Sequence, residues 1–277
     1  MIKLNFLLFF LLMCGYASGQ ELKGVIKDAV TGDPLPYANV EVAGKNIGRV
    51  ASSEGKFKLN LAGTGRPDTV RFSYLGYEPV SLPVSTLDLS VEHTIALEPA
   101  IYSLEAVTVG TVSPETEILG NSRAWRRMTG WGDFRSSRGR MRGLLIGNAA
   151  CPARVKSFSF RINHNDWDSV AFRLNFLEIE NGEPGKSILN ENIIVHTDKK
   201  FKWVAVNLEK YQIEICDRVL AVLEWVDAWG TFGEYSNMLT LSLSRNGGYV
   251  YSREADEVRG SYHFDENAPA MYIEVYK

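Results

Sequence analysis

Hydrophobic and polar residues alternate along most of this chain with a period of two. Ala38, Val40 and Val42 are interleaved with Asn39 and Glu41; Phe57, Leu59 and Leu61 with Lys58 and Asn60; Val70, Phe72 and Tyr74 with Arg71 and Ser73. Successive side chains of a strand point to opposite faces, so each run predicts a strand with one buried side. Leu22, Val25 and Ile26 open the series and Val91 to Leu97 closes it. Turn residues separate the runs at Thr31-Gly32-Asp33-Pro34, Ser53-Glu54-Gly55-Lys56 and Gly76, where Gly and Pro set backbone angles that other residues adopt poorly. Six or seven short strands at this spacing predict a small β-sandwich over residues 20–110.

The pattern lapses and then resumes. Val155, Phe158, Phe160 and Ile162 begin a second series, followed by Phe172, Leu174 and Phe176, by Ile193 to Val195, by Trp203 to Leu208 and by Val219 to Val226. Asn181-Gly182-Glu183-Pro184-Gly185 and Asn246-Gly247-Gly248 supply turns. Strands of this length without a helical period predict a jelly-roll-like β-sandwich over 140–277, so the fold class is all-β. Residues 111–139 lack the alternation and contain Ser113-Pro114, which reads as a linker.

Composition narrows this picture. A chain of 277 residues, 45% hydrophobic and 23% charged, has material for two domains and a net charge of only -3. That balance excludes a disordered acidic tail and a nucleic-acid binder held by phosphate contacts. The charge is uneven, however, because Arg123, Arg126, Arg127, Arg135, Arg138, Arg140 and Arg142 crowd around Trp125, Trp131 and Phe134. The segment is expected to be a solvated basic linker, with Arg126, Arg127, Arg135 and Arg138 as candidate contacts for an acidic partner.

At the N-terminus, Lys3 precedes an apolar run from Leu4 to Met13, and Ala17-Ser18-Gly19 provides small residues for a cleavage site. This predicts a secretory signal over 1–19; the run falls short of the roughly 20 apolar residues that span a bilayer. Lipidation at Cys14 is the alternative, which Met13 disfavours. Export places Cys151 and Cys216 in an oxidising compartment, where they either form a disulfide or remain two buried thiols.

Four motifs then carry a family resemblance. Gly24-Val25-Ile26-Lys27-Asp28, Thr31-Gly32-Asp33-Pro34-Leu35-Pro36-Tyr37-Ala38-Asn39-Val40, Ser53-Glu54-Gly55-Lys56-Phe57 and Phe72-Ser73-Tyr74-Leu75-Gly76-Tyr77-Glu78 resemble, in order, the carboxypeptidase-regulatory-like domain. The resemblance covers residues 21–98. It implies a transthyretin-like seven-stranded sandwich, found at the amino end of exported Bacteroidetes proteins that include outer-membrane TonB-dependent receptors. It also implies an accessory module without peptidase residues. The C-terminal block more weakly resembles accessory sandwiches of secreted bacterial proteins, and such an analogy does not fix a function.

Catalytic patterns are sparse. His263-Phe264-Asp265-Glu266 has the spacing of two zinc ligands, but no histidine follows it to complete a site. There is no nucleophile elbow, phosphate loop or dinucleotide fingerprint. Asn163, Asn165, Asp166 and Asp168 are expected to form an Asx-rich turn, with a calcium loop as the alternative. Trp229 and Tyr235, in an aromatic cluster with Gly230 and Gly233, are the candidate ligand-binding residues. The sequence therefore predicts an exported, non-catalytic binding or assembly protein without cofactor or metal, located in the periplasm, at the outer membrane or on the cell surface. The N-terminal sandwich would be accessory and the C-terminal one would recognise a cell-envelope protein or glycan. The alternative is a secreted hydrolase acting on glycans or peptides through the C-terminal sandwich.

Overall fold

The computed structural model describes residues 20–100, 115–131, 134–198, 200–230 and 238–276, with the side chains of 135, 136 and 148 excepted. The signal region with Cys14, the first residues of the expected linker and Tyr235 lie outside the described residues. Among those described, no helix is long and apolar enough to cross a membrane.

The first body has seven strands in two sheets. β1 (Glu21–Asp28) is central in the first sheet, antiparallel to β4 (Lys56–Asn60) and parallel to β7 (Glu92–Leu97). The second is antiparallel, in the order β3 (Gly48–Val50), β2 (Asn39–Val42), β5 (Thr69–Ser73), β6 (Val80–Pro83). The period of two decides what lies between them. Leu22, Ile26, Val40, Val42, Phe57, Leu59, Val70 and Phe72 all point inward and form one core, in which the Phe57 and Phe72 rings meet edge to face at 5.4 Å. Gly55 in the third motif has φ +69, and a Cβ there would stand 2.6 Å from the Ile26 carbonyl oxygen, so turn and close approach both require glycine. Asp28 closes the first motif: its carboxylate accepts from the Val30 and Thr31 amides at 2.7 and 3.0 Å and from the Tyr77 hydroxyl at 2.7 Å.

The second body is organised by one bent strand, β10 (Met141–Asn165). Its first half pairs with β15 (Glu214–Trp229) and β17 (Gly248–Arg253). Beyond Val155 it pairs with β14 (Trp203–Asn207) and β19 (Met271–Tyr276), and its end with β16 (Leu239–Ser242). One strand thus serves both layers. The first layer continues from β15 to β11 (Ser169–Glu180), which carries β12 (Glu183–Ser187) and β13 (Ile193–Thr197), and from β17 to β18 (Ser261–Asp265). Trp131, Trp167, Trp225, Phe158, Phe160, Phe172 and Phe176 are fully buried between the layers. Cys151 and Cys216 are disulfide-bonded with Cα atoms 4.3 Å apart, joining β10 to β15 where their register shifts.

The segment read as a linker over 111–139 is different where it is described. Thr116–Gly120 forms β8 against β19, and Met128–Gly130 forms β9 against β16. Phe134–Ser137 is a single helical turn, α1. Trp131 packs 5.2 Å from Phe172, and Phe134 packs 4.9 Å from Trp225 and 5.7 Å from Trp167. The physical reason is anchoring: two aromatics plug the core, while Arg123, Arg126 and Arg127 ahead of them are exposed. β9, at three residues, is too short to show a period, and β8 buries only Leu119, so neither alternates.

Candidate functional site

The two bodies meet through a buried polar network. Arg173 on β11 and Glu224 on β15 are direct cross-strand partners, joined by Arg173 Nε to Glu224 Oε2 at 2.7 Å. Arg173 also donates to the Tyr37 carbonyl at 2.7 Å and to Asn39 Oδ1 at 2.8 Å, both in the first body. Arg253 donates to the other Glu224 oxygen at 2.9 Å. A buried charge is tolerated when it is paired and hydrogen-bonded, and all three Arg173 nitrogens have a partner, whereas the Arg253 Nε has none among the described residues. Tyr37 completes the joint: its hydroxyl donates to Asp227 at 3.1 Å, and burial followed by that carboxylate pushes the phenol far above its usual range. Tyr37 sits at φ 63, uncommon for a residue with a side chain, held by partners at both its carbonyl and its hydroxyl. Val50, Ala171 and Val226 form an apolar cluster with it. Further out, Asn46 Oδ1 accepts from the Val258 and Arg259 amides.

Beside this joint lies a cleft of about 1280 Å³. Its floor is the outer face of the first sheet, where Lys23 and Lys27 on β1 stand near Lys56 and Lys58 on β4. Its far wall is the second body, through Phe134, Arg138, Asp227 and Trp229. Lys23 and Lys58 are directly opposite in register, and like charges in that relation destabilise a sheet. Glu92 on β7 is also in register with Lys23. Among the described residues, however, neither Lys23, Lys27, Lys58 nor Arg49, which also lines the cleft, has a salt-bridge partner. Two cleft carboxylates are already engaged. Glu54 pairs with Lys56 at 2.7 Å, which holds the Glu54 carboxyl below and the Lys56 ammonium above their usual ranges. Asp227 accepts from Tyr37 and lies 3.7 Å from Arg138. Four cations without an ion pair, Lys23, Lys27, Lys58 and Arg49, against the two carboxylates Glu21 and Glu92 that also line the floor, leave a net positive surface beside an exposed indole, which suits an anionic ligand with an apolar face.

The structure divides the residues singled out by sequence. Trp229 lines the cleft, is 41% exposed and lies 5.5 Å from the His196 ring. Arg138 lines it too, over the Phe134 ring at 5.0 Å. Arg126 and Arg127 are instead at a separate place around Trp125, and the Arg135 side chain is not among those described. The Asx-rich segment is a structural turn: Asn165 Oδ1 accepts from the Trp167 amide, while Asp166 pairs with His164 at 2.7 Å and accepts from the Met238 amide. The Met238 amide, first, holds the Asp166 carboxyl below its usual range. Among the described residues no three His, Cys, Asp or Glu side chains are placed to hold a metal. The lysine floor went unread because lysines at alternate strand positions look like any solvated face. Val219 to Val226 did carry a signal, since an apolar run broken only by Glu224 must be covered on both faces.

Comparison with known proteins defines the class of the first body. Residues 22–109 match the family model of the CarboxypepD_reg-like domain, as the four motifs implied. Over 76 residues the chain is also similar, at 36% identity, to a particular protein, the TonB-dependent receptor SusC of Bacteroides thetaiotaomicron. That likeness takes in 27% of this chain and 7% of the receptor, so it is a likeness between domains.

Proposed function

We propose that this is an exported, non-catalytic binding protein of the bacterial cell envelope whose ligand seats in the cleft shared by its two sandwiches. The observation that carries this reading is the net basic floor, on which Lys23, Lys27 and Lys58 make no ion pair and outnumber Glu21 and Glu92, facing Trp229 across a cleft of about 1280 Å³. The envelope setting rests on the domain match and on the likeness to a TonB-dependent receptor. The first sandwich is then more than an accessory, because it supplies the cationic half of the site, and the second supplies the aromatic half. A glycoside hydrolase of the paired-carboxylate kind would need carboxylates on either side of the substrate free to gain and lose a proton. Asp227, the carboxylate of the second sandwich in this cleft, is instead tied to Tyr37 and Arg138. The test is binding of residues 20–277 to an array of acidic and neutral envelope glycans and purified outer-membrane proteins, repeated with Trp229→Ala and with Lys23→Gln/Lys58→Gln. Binding to an acidic member that falls at least tenfold in both variants supports the reading. Binding that neither variant alters overturns it.

A further inference from the structure

A second concave site shares no lining residue with the cleft. It measures about 340 Å³ and is lined by Trp125, Arg126, Arg161, Asn163 and Phe201. Each ring here carries a guanidinium. Arg245 lies 3.7 Å and Arg127 4.9 Å from the Trp125 centroid, and Arg161 lies 4.7 Å from that of Phe201. Stacking on an aromatic face fixes a guanidinium plane while leaving its N–H edge free to form paired bonds to an oxyanion. Among the described residues, none of Arg126, Arg127, Arg161 and Arg245 has a carboxylate within salt-bridge distance. The Asn163 amide donates at 3.2 Å to the Met128 sulfur, a weak acceptor that a ligand oxygen would displace. Phe201 is 59% exposed, a level at which a large apolar ring is left in water.

We propose that this pocket binds a carboxylate-bearing sugar residue of an acidic saccharide. The guanidiniums of Arg126 and Arg161 take the carboxylate, the Asn163 amide takes a hydroxyl, and the exposed Phe201 ring lies against the apolar C–H face of the sugar. The volume falls at the lower end of the range for small-molecule sites, which are concave. A lipid surface would instead engage a flat or protruding face. The site is independent of the cleft, and the two are tested with different residues. Titration calorimetry of residues 20–277 would compare a uronic-acid oligosaccharide, its neutral counterpart, inorganic phosphate and phosphatidylglycerol vesicles. The uronic-acid oligosaccharide is expected to bind and its neutral counterpart is not. Arg161→Gln and Phe201→Ala are each expected to weaken binding about tenfold, equivalent to about 1.4 kcal/mol. The titrations use the Lys23→Gln/Lys58→Gln background, in which the cleft is silent, and Lys186→Gln, an exposed lysine of β12 outside both sites, should leave that binding unchanged. Because both pocket substitutions are at the surface, unaltered circular dichroism serves as the folding control. Equal binding of the neutral oligosaccharide, response only to phosphate or to vesicles, or full affinity in the Arg161→Gln protein would each overturn the assignment.

Discussion

Lys23 and Lys58 show how one pair of residues can be unfavourable for folding and useful for binding. They oppose each other across β1 and β4 with no salt bridge to either, so Lys58→Glu should convert a repulsion into an attraction. The expected gain in unfolding free energy is about 0.2–1 kcal/mol, towards the lower end because the pair is solvent-screened, and urea melts would read it. The same substitution should weaken an anionic ligand in the cleft, and a loss of stability together with unchanged binding would contradict both halves of that claim. Asp28 and Tyr77 set a pH window for the first body. The Tyr77 hydroxyl bond, followed by those from the Thr31 and Val30 amides, holds the Asp28 carboxyl below its usual range. Its stabilising contribution is therefore complete above the ordinary Asp value and is lost as pH falls through the lower folded value. Burial and the Asp28 hydrogen bond push Tyr77 up to about 12. Its contribution is complete below about 10, the ordinary tyrosine value, and is lost as pH rises towards 12. Tyr77→Phe should abolish the alkaline part of this dependence in denaturant midpoints and blunt the acid part; an unchanged alkaline limb would count against the assignment.

The strands of the first body were legible because each has one wet face and one dry face. The period of two written into Phe57, Leu59, Val70 and Phe72 is the sandwich itself. In the second body Val155 to Ile162 of β10 were legible by alternation, and β15 by a continuous apolar run that is buried on both faces, but β8, β9 and α1 were not legible. Their information resides in two anchors, Trp131 and Phe134, set among arginines that a composition-based reading assigns to solvent. Trp131→Ala should therefore cost about 3–5 kcal/mol, as for other fully buried large aromatics, where a linker residue would cost almost nothing. Limited trypsin digestion gives a second check. Arg138, within 111–139, lies over the Phe134 ring and 3.7 Å from Asp227, and Arg140, at the boundary of that segment, pairs with Glu254. These sites should resist cleavage under native conditions, and rapid cutting there would restore the linker reading.

At the scale of the whole molecule, the joint between the sandwiches could not be read from sequence. Neither Tyr37 in a turn motif nor Arg173 in a strand announces its partner, and only Glu224 within an apolar run marked a face that had to be covered. Arg173→Ala leaves Glu224 with Arg253 alone and strips the Tyr37 carbonyl and Asn39 of a donor. Breaking a buried pair in this way typically costs 3–5 kcal/mol. Calorimetry is expected to show one unfolding transition for the unaltered chain and two for Arg173→Ala, since each body has its own core; a single, unshifted transition in the variant would count against a tight joint. The central claim is that both bodies contribute to one recognition site, and amine acetylation read by mass spectrometry tests it most directly. The experiment uses residues 20–277 carrying Arg161→Gln, so that the smaller pocket is silent, with and without a saturating acidic ligand identified on the array. Slower acetylation of Lys23, Lys27 and Lys58 together with quenched Trp229 emission, assigned by its loss in Trp229→Ala, is the expected result. Lysines that react at the free rate while the ligand remains bound would show that recognition lies elsewhere.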